Sequence, residues 1–161
     1  MGVYEEKDSD YLTGMGDRND TFMAGLAIQA VLPGGLDILA SYEHEAPGKI
    51  GGDEANIRFS KSLQFGVIRI APMIAFNWAS EEMANHDFGV PDDKATAERE
   101  AYLLDDTVSV EAGFGMFIEI TRDWLFVLSV AGESLSDEVT ASPIVSENYV
   151  IKGFGVINYV F

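Results

Sequence analysis

Few of the 161 residues are equipped for covalent or acid–base chemistry. There is no cysteine, which excludes disulfides and thiolate metal sites. The two histidines, His44 and His86, stand apart from any Ser-His-Asp pattern, and no G-x-S-x-G elbow occurs. Gly113-Phe114-Gly115 and Gly153-Phe154-Gly155 mimic half of a dinucleotide fingerprint, but both fall inside strand-like runs rather than at a strand-to-helix turn. Glycines so placed make room for neighbouring rings or permit curvature. Residues 80–106 hold nine acidic residues against Lys94 and Arg99. Carboxylate oxygens suit calcium or magnesium, yet the spacing is not that of an EF-hand, so a solvated loop is expected there. The expected catalytic, cofactor and metal sets are therefore empty.

Charges that fall at alternate positions of strand-like runs are the remaining candidates. Arg58, Arg69, Glu111, Glu119 and Lys152 share the polar side of their runs with Asp37, Glu43 and Glu133. Facing inward, they would line a pore, or pair with one another and plug it, since burying them unpaired is costly.

The elements that carry these residues repeat with period two. In the terminal run, Tyr149, Ile151, Gly153, Gly155, Ile157, Tyr159 and Phe161 share one side, opposite Asn148, Lys152, Phe154 and Asn158. Six earlier runs follow the same rule: Thr21–Leu32, Leu36–Glu45, Ala55–Leu63, Gly66–Ala79, Thr107–Ile120 and Trp124–Glu133. Pro72 lies inside one of them and predicts a bulge. Short turns are predicted at Pro33–Gly35, Ser62–Phe65 and Thr121–Asp123, and the other connections are longer. Short links at one end and long loops at the other are the asymmetry of outer-membrane barrels. Trp78, Trp124, Tyr42, Tyr149 and Tyr159 lie near run ends, where an interfacial aromatic girdle sits. The competing fold is a water-soluble barrel or sandwich, whose apolar sides pack into a closed core.

Composition agrees. A net charge of −17 argues against nucleic acid and against a polybasic membrane anchor. No stretch reaches the roughly 18 apolar residues of a membrane helix, a test to which barrel strands are blind. The start, MGVYEEKDSD, lacks the basic and apolar regions of an export signal, which predicts either that such a segment has been removed or that the sequence begins inside a longer protein. Parity points the same way: with a periplasmic carboxyl end, seven strands place residues 1–20 outside the cell, as a loop or the remnant of a preceding strand, and an even count needs at least one strand more. The expected fold is all-β: an antiparallel up-and-down transmembrane barrel, seven to eight strands here, forming a single domain with 80–106 as a long extracellular loop and belonging to a larger barrel.

Tyr11-Leu12-Thr13-Gly14-Met15-Gly16-Asp17 with Asp20-Thr21, then Phe88-Gly89-Val90 followed by Ala95, then Trp124 and Ser142-Pro143-Ile144-Val145, resemble in order the segments of the MltA-interacting protein (MipA/OmpV) family. The resemblance covers nearly the whole chain from Tyr11. It implies an outer-membrane barrel that is not an enzyme, without assigned catalytic residues, and a scaffold joining a lytic murein transglycosylase to a peptidoglycan synthase. Porin-like relatives keep a small-solute channel open as the alternative, and His44 near an outer strand end keeps a rim enzyme as the third. The terminal aromatics Tyr159 and Phe161 are similar to the signal read by the barrel-assembly machinery. The heavy acidity departs from the family and leaves the partner open.

Overall fold

Alternating apolar and polar residues can bury one side of a strand and wet the other, and this chain does little else. The computed structural model describes residues 12–16, 21–46 and 48–159. Its strands are β1 (Met23–Leu32), β2 (Leu36–Glu45), β3 (Asp53–Lys61), β4 (Leu63–Phe65), β5 (Ile68–Ala79), β6 (Thr107–Glu119), β7 (Trp124–Ser134) and β8 (Tyr149–Tyr159). They form one sheet in the order β1-β2-β3-β5-β6-β7-β8, with β4 beside β5, and every pairing is antiparallel. Six antiparallel steps separate β1 from β8, so these two edge strands run in the same direction. Among the described residues they are not paired with each other.

The meander and its phases are as the sequence predicts; two local details differ. Pro72 makes no bulge. The register of β5 against β6 passes through Pro72↔Phe114 without a slip. On the other side it is the same before and after the proline, Ser60↔Met73 and then Leu63↔Ile70. What the proline removes is a ladder donor, and the pairing lapses there, splitting one long strand into β3 and β4. The turn expected at Ser62–Phe65 lies further on. Phe65 pairs with Ile68, and Gly66-Val67 makes a two-residue hairpin loop with Gly66 at φ 61°.

The two sides of the sheet differ in kind. Ile118, Phe126 and Ile157 form one cross-strand row on the apolar side. That side is bare: Leu26 is 83% exposed, Ile28 76% and Ile151 70%. Among the described residues no closed core covers it, unlike the apolar side of a soluble sandwich. Along β8, Tyr149 and Tyr159 both face the apolar side. Ten residue steps of roughly 3.4 Å, at a barrel tilt of about 35–45°, set them about 24–28 Å apart in height, against an apolar band of about 25 Å. The buried apolar cluster lies instead beyond the sheet, in the long connections. Ala84, Leu104 and Val139 are its centre, with Phe88, Tyr102, Leu135 and Val145 packed around them.

Candidate functional site

The polar side of the sheet gathers its side chains into a chain of hydrogen bonds across five strands. Asn56 on β3 donates to Asn77 on β5 (2.6 Å), and Asn77 donates to Ser109 (3.3 Å) and to Glu133 (3.0 Å). The Ser109 hydroxyl also donates to Glu133. Lys152 on β8 closes the set, 2.5 Å from Glu133 and 3.3 Å from Glu111. Each member falls on the polar phase of its strand, so register alone brings them together.

Of the five inward charges expected from the sequence, the network joins Glu111 and Lys152. Arg58 shares a row with Glu111, but Ala75 stands between them. Arg69 lies over the Phe117 ring, 4.5 Å from its centroid, a favourable use of the ring's negative face. Glu119 is exposed at the short-turn end of β6. Asn56, Asn77 and Ser109 escaped the sequence reading because uncharged side chains at polar positions look like ordinary wetted surface.

Above the network the connections build a cap. Helix α1 (Glu81–Phe88) and the short helix α2 (Asp137–Thr140) enclose with the sheet a cavity of about 330 Å³, lined by Glu43, Glu54 and Lys152 from the strands and by Phe88 and Val139 from the helices. The solvated loop expected at 80–106 is thus a folded element. Asn85 clamps it, donating to the Leu104 carbonyl (2.7 Å) and accepting from the Leu104 N–H (2.9 Å). Val90 and Tyr102 bridge its two arms. The Glu82 carboxylate, held by its own backbone N–H and by the Ser80 hydroxyl, has its pKa below the usual range.

Three distant segments meet in this cap. The Ser142 hydroxyl donates to the Phe88 carbonyl at 2.6 Å. Arg99 is buried and donates to the carbonyls of Lys94 (2.8 Å) and Thr13 (3.1 Å). Leu12 and Met15 are buried beside a turn whose Gly14 and Gly16 have φ of 84° and 79°, values that glycine adopts without strain. The neighbouring connection is pinned by Glu45, fully buried at the end of β2, which accepts from Thr21 (2.7 Å) and from the N–H groups of Ile50 and Gly51 (both 3.1 Å). Arg99→Leu would strip two carbonyls of a donor. It is expected to cost about 1–3 kcal/mol and to open a protease site near Thr13 while the strands stay folded, as limited proteolysis of the folded protein would show.

Both histidines are engaged at the capped end. His44 Nδ1 lies 2.8 Å from Asp53, which also accepts from the Tyr42 hydroxyl at 2.6 Å, and His86 Nδ1 lies 3.0 Å from Asp87. At the opposite end, Trp124 and Tyr159 pack ring to ring on the apolar side, centroids 5.0 Å apart at 59°. Tyr42 and Trp78 occupy one row near the cap. The terminal Phe161 lies outside the described residues.

An antiparallel meander with a bare apolar side, a hydrogen-bonded polar side, tight turns at one end and folded loops at the other defines an outer-membrane β-barrel protein. The family model for the MltA-interacting protein MipA matches residues 2–161, and the chain belongs to that family. It is similar to outer membrane protein Omp26La of Vibrio anguillarum and to outer membrane protein OmpV of Vibrio cholerae serotype O1. Each is 25% identical over 143 residues, covering 89% of this chain and 55% of the relative. The chain therefore spans about half the length of the curated relatives it matches. No solved structure matches it. Its location is the outer membrane. Three of the segments that carry the family resemblance, around Leu12–Gly16, Phe88–Val90 and Ser142–Val145, are those that converge in the cap.

Proposed function

We propose that this chain forms part of a non-enzymatic scaffold that holds a lytic murein transglycosylase, and with it a peptidoglycan synthase, against the inner face of the outer membrane. The family's own description, a protein interacting with MltA, carries this reading. The short-turn end would present the docking surface, and Arg122 and Asp123, both exposed between β6 and β7, are its nearest charged handles. Pull-downs from solubilised envelopes with the full-length protein should retain the transglycosylase. The double change Arg122→Glu, Asp123→Lys should lower its recovery about tenfold, the loss of one charge-assisted contact pair at roughly 1.4 kcal/mol per decade. Equal recovery from the parent and from an unrelated barrel would end the scaffold reading.

The cavity and the charged polar side favour a second reading, a channel for small solutes. A channel should show discrete conductance in planar bilayers, altered by Arg69→Glu or Glu111→Lys, whereas a pure scaffold should conduct nothing. In both readings the other partners are outer-membrane lipid and the barrel-assembly machinery, for which Tyr159 and Phe161 would supply the recognised end.

A further inference from the structure

We propose that the cavity between the cap and the sheet is a binding site for a small organic cation, an ammonium group carried on an apolar body. Binding there needs neither a docked transglycosylase nor conductance, so it goes beyond both readings above. The charge of the lining selects the sign. Glu43, Glu54, Asp87, Glu111 and Glu133 line the cavity, with Lys152 as the cation among them. Lys152 is already engaged, 2.5 Å from Glu133 and 3.3 Å from Glu111. Glu43 and Glu54 have no such answer. They stand directly opposite each other in the β2–β3 register, both half-buried. Among the described residues neither carboxylate has a hydrogen-bond or ion-pair partner. Like charges directly across a ladder repel, and a cation bound between them would remove that penalty.

The rest of the lining selects the kind of cation. From the cap, Phe88, Leu135 and Val139 border the same cavity, and an aromatic ring attracts a cation while it packs against an apolar body. Among the described residues no three carboxylate or imidazole groups converge as a metal ion requires. An ammonium needs only acceptors on one side and apolar contact on the other, which is what this lining offers. The volume of about 330 Å³ suits a small molecule. The net charge of −17 steers cations towards it.

Isothermal titration of the full-length protein in detergent micelles with phenethylammonium chloride tests this, after subtraction of empty micelles. Phenethylammonium should bind, and neither phenethyl alcohol nor hydrocinnamate should. The double change Glu43→Gln, Glu54→Gln removes the unanswered charges together with their repulsion. Its heat-modifiable band should show a folded barrel while affinity falls by about tenfold or more. Lys152→Gln frees Glu111 and Glu133 and should raise affinity, a gain that misfolding cannot mimic. Asp92→Asn with Asp93→Asn removes exposed charges outside the cavity and should leave affinity within about twofold. Equal binding of the alcohol, unchanged affinity in the Glu43 and Glu54 double variant, no gain from Lys152→Gln, or an equal loss in the Asp92 and Asp93 double variant overturns the site. Displacement by magnesium chloride beyond that by sodium chloride of equal ionic strength overturns it too, in favour of a metal ion. A failed pull-down or a silent bilayer leaves each of these results standing.

Discussion

Phe114→Arg is expected to cost about 2–4 kcal/mol of stability in a bilayer, the penalty for a cation on the lipid side near the midplane. Phe114 sits midway along β6, in the row Pro72↔Phe114↔Val130, with its ring on the bare apolar side. Ser129→Arg provides the contrast. Its neighbours are Gly115 and Phe154, on the polar side, where a guanidinium keeps contact with water; its effect should stay below about 1 kcal/mol. Urea titration of the heat-modifiable folded band in lipid vesicles would measure both. Equal costs would mean that the two sides of the sheet do not differ in solvent.

The second large effect is expected at Gly113. A Cβ there would lie 2.4 Å from the Val130 carbonyl oxygen and 2.7 Å from both Cα and Cβ of Ala131. These atoms belong to the paired strand and cannot swing aside as a flexible side chain would. Gly113→Val must force β6 and β7 apart, and the loss should reach or exceed the roughly 1–3 kcal/mol of ordinary overpacking. Gly132→Ala, in the adjacent strand, meets nothing within 4 Å. It should be neutral or stabilise by about 0.4–1 kcal/mol through the unfolded chain. The same urea titration separates the two glycines, and a tolerated Gly113→Val would show that the strands are not as close as the structure has them.

The sheet was legible in the sequence because register propagates. Once each strand's alternation is phased, every partner follows, and Ile118, Phe126 and Ile157 fall into one row without further information. At Pro72 the missing donor was legible but its outcome was not: a bulge and a lapse in one ladder both accommodate it, and the intact register against β6 decides for the lapse. The cap was hidden for a different reason. Its buried residues, Met83, Ala84, Val90, Leu104 and Val139, follow no single period and are diluted by acids that face water. Charge density marks what a loop shows to solvent and says little of what lies beneath. In the sequence Arg99 is one of two cations in an acidic loop, while its role depends on a carbonyl 86 positions away.

That span sets an order of events in folding. With β4 taken as the continuation of β3, each strand pairs with its neighbours in sequence, so β-hairpins can be added one after another. The contacts of Arg99 with Thr13 and of Ser142 with Phe88 bridge 86 and 54 positions, and they have no binding site until the strands that hold their ends stand side by side. The cap is therefore the last part to assemble. Protection of the peptide bond at Thr13 marks a finished molecule, whereas the strand signal marks only the start.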